Sequence, residues 1–319
     1  MKKLVSLVNK AFPEIEALNQ RAQQYAASKG IDYEWIRMDP YDEETAVVAL
    51  RDADAGIIDC EPYDAKVFSR IVPRNRLLVR YGVGYDAVNI PDATACGIKI
   101  ARTTAANATA VAEMALSMIL ALKRKLFSVS LASQVWCSEL ASDLTGCTVG
   151  ILGFGAVGKA LAKLLQGFDC RILVYDSYHD DEAAARLHTE FCDLDTIFRE
   201  ADAISCHLAL NKDTAKLVNR ETLAMMKPTA ILVNTARGGL VDDEALQEAL
   251  REGRIAGAGL DVFTTEPLEA DSAYRTLKDV VLTPHLASTT QGSFWNMYSA
   301  CIDIAANFFE GKDDPRLLN

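Results

Sequence analysis

The 319-residue sequence lacks the features of several protein classes. It has no stretch of about 18 apolar residues free of charge, so we expect no membrane-spanning helix and no membrane partner. Its eight cysteines are scattered singly without a Cys-x-x-Cys pair, which disfavours a disulfide framework and favours free thiols in a reducing cytoplasm. It also has no internal repeat, low-complexity segment or Ser/Gly-rich linker, which argues against repeat and disordered proteins.

Basic residues are outnumbered, with 33 Lys and Arg against 44 Asp and Glu and a net charge of −11. Such a surface repels phosphate backbones, so we expect no nucleic-acid partner. It repels a small anionic substrate as well, and an enzyme acting on one would need a local cationic anchor. The length suggests about two domains.

Short apolar runs alternate with helix-like polar runs along most of the chain, a pattern typical of parallel βαβ units. The alternation stops at a long helix candidate, Ala108–Leu126, and restarts near Cys147. The sequence therefore predicts two doubly wound parallel-sheet lobes, which bind ligands at the carboxyl ends of their strands. The predicted strands are Leu4–Val8, Gly56–Asp59, Leu77–Arg80, Lys99–Ala101, Thr148–Leu152, Arg171–Asp176, Ala203–Cys206, Ala230–Asn234, Gly257–Asp261 and Val280–Thr283.

A glycine motif, Gly153-Phe-Gly155-Ala-Val-Gly158, follows a predicted strand and opens a predicted helix. This is the context in which Gly-x-Gly-x-x-Gly binds a dinucleotide, with the amides of Ala156 and Val157 at the positive helix end holding the phosphates. Asp176 ends the next strand and would accept hydrogen bonds from a ribose diol while repelling a 2′-phosphate. No arginine follows it, so NAD is the expected cofactor.

Three later strand exits carry one cation, one acid and one histidine, namely Arg237, Glu266 and His285. Each alone is more often structural, but together with a dinucleotide motif they match the needs of hydride transfer to a 2-oxo acid. The cation binds the carboxylate and polarises the carbonyl. The histidine donates the proton and the carboxylate stabilises its charged form.

A metal site is the weaker interpretation of the remaining histidines. His179, His188 and Cys192 lie close in sequence, but their spacing fits no standard zinc pattern. We therefore expect no metal.

Six segments together have the order and spacing of a known family: Arg80-Tyr-Gly-Val-Gly-Tyr-Asp86, Asn107-Ala-Thr-Ala-Val-Ala-Glu113, the glycine motif with Asp176, Asn234-Thr-Ala-Arg-Gly-Gly-Leu-Val-Asp242, Asp261-Val-Phe with Glu266-Pro, and Thr283-Pro-His285. Through them the chain resembles the D-2-hydroxyacid dehydrogenases, in particular the phosphoglycerate-dehydrogenase-like branch, over nearly its whole length.

The resemblance implies roles for individual residues. Arg237 would bind the substrate carboxylate and carbonyl, His285 would be the acid/base and substrate contact, and Glu266 would orient it. Asp261 would bind the nicotinamide carboxamide, and the amides of Val83 and Gly84 would hold the substrate carboxylate. We also expect Cys206 and Ala236 to contact the cofactor.

The family's architecture implies a flavodoxin-like substrate domain, residues 1–101 and 288–319, around a Rossmann NAD domain, residues 102–287, with a cleft between them. A homodimer with the 108–126 helix at its interface is implied too. The expected reaction is reversible hydride transfer between NAD(H) and a small 2-hydroxy or 2-oxo acid.

The substrate is left open between D-3-phosphoglycerate and a glyoxylate, hydroxypyruvate or D-lactate type of acid. Asp59-Cys60-Glu61-Pro62 is acidic where a substrate-facing loop is expected, which counts against a phosphate, although Arg74, Arg76 or Arg80 could bind one. An NAD-sensing corepressor-like binding protein is the alternative from another class. The absence of a long disordered tail after Asn319 favours the enzyme.

Overall fold

The computed structural model describes residues 1–8, 13–38, 41–127 and 140–319, which form two compact units. The first unit combines Met1–Asn107 with Thr290–Asn319, and the second is Ala108–Thr289. The first unit is therefore discontinuous in sequence. Among the helices of these described residues, none is long and apolar enough to cross a bilayer.

The first unit contains one parallel sheet of five strands in the order β2-β1-β3-β4-β5. This is the flavodoxin-like order, in which β1 marks the point where the strand order reverses. The strands are β1 Lys2–Ser6, β2 Ile31–Trp35, β3 Ala55–Ile58, β4 Leu77–Arg80 and β5 Lys99–Arg102. The helices are α1 Ile15–Ser28, α2 Glu43–Arg51, α3 Ala65–Ile71, α4 Ile90–Ala95 and α11 Gln291–Phe309.

Burial explains why the inner strands of this unit form. Every residue of β3 and β4 is buried, as expected for a parallel sheet covered by helices on both faces. Polar side chains set where the helices begin: Asp42 accepts from the amide of Thr45 at the start of α2, and Asp64 caps α3 in the same manner.

The second unit contains a parallel sheet of seven strands in the order β12-β11-β10-β9-β6-β7-β8. The strands are β6 Thr148–Leu152, β7 Arg171–Tyr175, β8 Thr189–Phe191, β9 Ala203–Cys206, β10 Ile231–Asn234, β11 Gly257–Leu260 and β12 Val280–Leu282. The helices are α5 Ala108–Lys123, α6 Ala156–Leu165, α7 Asp181–Arg186, α8 Leu194–Glu200, α9 Arg220–Met225 and α10 Asp243–Arg251.

The strand order of the second sheet reverses at β6, which lies between β7 and β9. In doubly wound sheets ligands bind at the carboxyl ends of the strands beside such a reversal. The turn that follows β6 is the glycine motif beginning at Gly153. The predicted fold class, two doubly wound parallel sheets, is confirmed.

Candidate active site

The glycine turn after β6 can be built only with glycine at its first position. Gly153 has φ +107°, and a Cβ there would lie 2.6 Å from the carbonyl carbon of His207 and 2.7 Å from the amide of Leu208. A side chain would therefore collide with backbone that cannot move away. The turn brings the start of α6 to the carboxyl edge of the sheet.

The start of α6 has the properties of a phosphate cradle. No side chain caps it, and a Cβ added to Gly155 would meet no atom within 4 Å. The first amides of a helix lack partners within it and lie at its positive end, so those of Ala156 and Val157 suit a pyrophosphate. Gly158 allows close packing, since a Cβ there would collide with the carbonyl of Gly153. These residues fit a dinucleotide.

Asp176 is fixed against the glycine turn. Its Oδ2 accepts a hydrogen bond from the amide of Phe154 at 2.8 Å, and its Oδ1 accepts from the amide of Tyr178 at 3.2 Å. Nearby, the Lys159 ammonium donates to Asp180 at 2.5 Å and lowers the pKa of that carboxyl. The carboxylate of Asp176 thus has a fixed position from which to accept from a ribose diol.

Replacing Asp176 by alanine should relax the cofactor preference, because it removes both a ribose acceptor and a charge that repels a 2′-phosphate. We expect the kcat/KM ratio of NADPH to NADH to rise at least about tenfold, since a hydrogen bond to a charged group contributes about 1.5–3 kcal/mol. Asp181→Ala, which removes an equal charge at the exposed start of α7, is the matched control. A parent protein that already prefers NADPH would refute this role for Asp176.

Glu266 and His285 form a pair at the exits of β11 and β12. The His285 Nδ1 lies 2.7 Å from Glu266 Oε2, and Glu266 Oε1 accepts from the amide of Phe263 at 3.0 Å. The histidine side chain is 50% exposed and the glutamate 35%. The pairing occupies Nδ1 and leaves the other ring nitrogen, Nε2, for a reactant.

Asp261 fixes the loop that carries this histidine. Its carboxylate has no exposed surface and accepts from Thr283 Oγ1 at 2.5 Å and from the amides of Leu286 and Ala287 at 2.7 and 2.9 Å. His285 has φ +54°, a left-handed conformation that costs free energy unless its surroundings impose it. The structure thus shows a positioning role, and the contact of Asp261 with a nicotinamide stays a prediction.

The turn that carries Arg237 follows β10 and is held by Asn234. The Asn234 side chain is buried, accepts from the amide of Ala236 at 3.0 Å and donates to the carbonyl of Arg237 at 2.9 Å. The guanidinium of Arg237 donates to the carbonyl of Ala236 at 2.7 Å. Asn234 was recognised in the sequence as part of a motif but not for this positioning role, although asparagine before a turn is a known signal.

Gly238 brings this turn against the β11 exit. A Cβ on Gly238 would collide with the backbone of Phe263 and Thr264, so only glycine permits the approach. Phe263 also donates its amide to Glu266. The Arg237 turn and the Glu266 loop are therefore packed together at one edge of the second sheet.

Cys206 and its neighbour His207 lie at the exit of β9. Burial raises the pKa of the Cys206 thiol to about 12 and lowers the pKa of His207 to about 4. The thiol packs in the apolar core, so a cofactor could meet Cys206 only through its backbone. His207, whose Nε2 lies 2.8 Å from Ser205 Oγ, is neutral at pH 7 and is unsuited to be the proton donor.

Val83 and Gly84 belong to the first unit, in the turn after β4. In the part of the chain that the structure describes, no three His, Cys, Asp or Glu side chains are grouped so that they could hold a metal ion.

Comparison with known proteins supports the family resemblance that the sequence motifs indicate. Residues 116–287 match the model of the D-isomer specific 2-hydroxyacid dehydrogenase NAD binding domain. The chain is 39% identical to a glyoxylate reductase of Thermococcus onnurineus, covering 86% of both chains. It is 36% identical to a D-3-phosphoglycerate dehydrogenase of Mycobacterium leprae, covering 88% of this chain and 53% of that one.

The fold is shared with solved structures. The apo-structure of D-lactate dehydrogenase from Escherichia coli superposes with a TM-score of 0.81 at 27% identity, covering 100% of both chains. The family model, the identity to these relatives and the shared fold agree with the sequence motifs. The chain therefore belongs to the D-isomer specific 2-hydroxyacid dehydrogenases, a family of NAD-dependent oxidoreductases, as its motifs predicted.

Proposed function

We propose that this protein reversibly reduces a small unphosphorylated 2-oxo acid, of the glyoxylate or hydroxypyruvate type, to the D-2-hydroxy acid with NADH. The observation that carries the proposal is the pair of His285 and Glu266, 2.7 Å apart at the sheet edge that also bears the Arg237 turn. An acid, a carboxylate that orients it and a cation are the groups that carbonyl reduction needs.

The roles of these side chains follow from their contacts. Glu266 accepts from the Nδ1 of His285, which holds the ring in one orientation and directs Nε2 toward the substrate carbonyl oxygen. The proton moves from Nε2 to that oxygen in reduction and back in oxidation. Arg237 binds the substrate carboxylate and stabilises negative charge on the oxygen as it forms. NADH, when bound, supplies the hydride to the carbonyl carbon.

The residues that would hold the cofactor are those of the glycine turn and its neighbours. Gly153 and Gly158 shape the turn, and Gly155 with the amides of Ala156 and Val157 would hold the pyrophosphate. Asp176 would accept hydrogen bonds from the adenine ribose. The carboxyl ends of three further strands, at Cys206, Ala236 and Asp261, complete the proposed contacts.

The choice against a phosphorylated substrate rests on the charges of the first unit. Arg80 pairs with Asp59 at 3.2 Å, and both side chains are almost fully buried. Arg74 and Arg76 precede β4, so they lie at the amino edge of the sheet, opposite the edge where Val83 emerges. None of the three arginines that could have bound a phosphate is suitably placed.

The carboxyl edge of the same sheet carries acidic residues in the turn after β3 as well as Arg102 at the end of β5. The turn after β3 carries Asp59 and Glu61 beside the β4 exit. A phosphate brought next to the turn after β3 would meet the carboxylate of Glu61, and juxtaposed like charges cost several kcal/mol. The similarity to glyoxylate reductases, at 39% identity, supports the same choice over the D-3-phosphoglycerate type.

A panel of 2-oxo acids tests the proposal by NADH oxidation. Glyoxylate and hydroxypyruvate should be reduced, pyruvate and branched 2-oxo acids provide a size series, and phosphohydroxypyruvate should have a kcat/KM at least about tenfold lower than hydroxypyruvate because of the like charge. Hydroxypyruvate and phosphohydroxypyruvate are a well-matched pair of substrates, since they differ only by the phosphate.

Two results would contradict the proposal in different ways. Preference for phosphohydroxypyruvate would assign the D-3-phosphoglycerate reaction and overturn the argument from charge. Tight NADH binding without turnover of any acid in the panel would favour the NAD-sensing corepressor-like protein over an enzyme.

Two further expectations stay predictions. One is a homodimer formed through α5, and the other is a cytoplasmic location. The cysteines of the described residues are all free thiols, which is typical of a reducing compartment.

A further inference from the structure

The turn after β4 is held on one side by the residues that end β5. The carbonyl of Gly82 accepts from the amide of Thr103 at 3.1 Å, and the carbonyl of Val83 accepts from the guanidinium of Arg102 at 3.3 Å. The amide of Gly82 donates to Thr103 Oγ1 at 2.9 Å. Two successive peptide groups therefore have their carbonyls fixed at the end of β5.

The direction of two amides follows from this arrangement. In a planar trans peptide the N–H points opposite to the C=O, so the N–H groups of Val83 and Gly84 both point away from the end of β5. Neither donates to an acceptor within the ranges the structure describes. Two adjacent backbone N–H groups with a shared direction form a concavity that binds anions.

Arg102 is itself held in position. Its backbone amide donates to the carbonyl of Arg316 at 3.2 Å, and its guanidinium lies 5.1 Å from the centre of the Tyr85 ring. The side chain is half-buried. A hydrogen bond from a charged donor is stronger than a neutral one, so Arg102 both fixes the Val83–Gly84 peptide and polarises it toward stronger donation from the Gly84 N–H.

From this geometry we infer that Arg102 is a positioning residue for anion binding: it orients the Val83–Gly84 peptide so that the Gly84 amide can hold the substrate carboxylate. The inference rests on the proposed function only for the identity of the anion. Arg102 acts through the peptide and is not a catalytic residue.

The sheet offers a matched control for this role. Arg76 also donates from its guanidinium to a backbone carbonyl, that of Gly97, at 3.3 Å. It precedes β4 and lies at the opposite edge of the same sheet. Loss of this arginine removes the same charge and the same kind of contact without touching the turn after β4.

The test compares Arg102→Met, Arg102→Lys and Arg76→Met with the parent protein in steady-state reduction of glyoxylate by NADH. Arg102→Met should raise the KM for glyoxylate about tenfold, as expected for loss of a charge-assisted hydrogen bond. The kcat and the KM for NADH should stay unchanged, because a carboxylate is bound equally in the ground and transition states. Arg102→Lys, which keeps one charged donor, should recover part of the loss.

Each outcome decides something. An unchanged KM in Arg102→Met, or an equal rise in Arg76→Met, overturns the positioning role. A fall in kcat with unchanged KM also overturns it, since that is the signature of a merely structural defect that lowers the active fraction. A parent protein that reduces no 2-oxo acid contradicts the proposed function instead, so the two failures are distinguishable.

Discussion

Replacing His285 by alanine is expected to slow the turnover of 2-oxo acids by about 10²–10⁴-fold, the usual loss when a general acid is removed. The Nδ1 of its imidazole is paired with Glu266, and the other ring nitrogen, Nε2, is the proposed proton donor. Steady-state kinetics measures the loss in kcat, and quenching of protein fluorescence measures NADH binding, which should be unaffected.

His188→Ala is the matched control for this variant. His188 also has a left-handed backbone, with φ +49°, and lies in the same unit. It should therefore report any cost of removing a histidine from such a conformation without touching the proposed reaction. If His285→Ala retains more than about a tenth of the parent kcat, the assignment of the proton donor is wrong.

Replacing Arg237 by alanine should have the second large effect. The guanidinium is the proposed partner of both the carboxylate and the developing oxyanion, and loss of one such oxyanion donor costs about 10²–10³-fold in kcat. The KM for the 2-oxo acid should rise too, so kcat/KM falls further than kcat. NADH binding should survive, because the glycine turn that would hold the cofactor is intact.

The control is Arg254→Ala, in the same unit, whose guanidinium is paired with Glu248 and Glu252. Arg237→Lys should recover little of the lost kcat/KM, because lysine cannot reproduce the two-pronged geometry in which arginine binds a carboxylate. If Arg237→Ala retained the turnover of the parent protein, the proposed role of Arg237 in binding the carboxylate and the oxyanion would be wrong.

Much of the fold could be predicted because its strands are buried on both faces. Runs such as Ile231–Asn234 are continuously apolar and end at polar residues, so both the strand and its exit could be recognised. Two edge strands were missed. In β2, Ile31–Trp35, buried and exposed residues alternate, and in β8, Thr189–Phe191, no residue is fully buried. The long helix ends at Lys123, three residues before the predicted end at Leu126, and its apolar pattern gave no sign of that.

The grouping of the site residues could be predicted because the carboxyl ends of parallel strands lie at the same edge of a sheet. Glu266 and His285 could be named from sequence, and the structure places them within hydrogen-bond distance. The side chains that hold the loops could not be named for that role. Asp261 and Arg102 act through backbone groups of other segments, and only the tertiary fold brings those groups to them.

Identification of the product that accompanies NADH oxidation tests whether this protein reduces a 2-oxo acid with D specificity. With hydroxypyruvate as substrate, chiral chromatography of the reaction mixture should show D-glycerate in an amount equal to the NADH consumed. L-Glycerate, or no glycerate from a protein that binds NADH, would contradict the assignment of a D-specific hydride transfer to this chain.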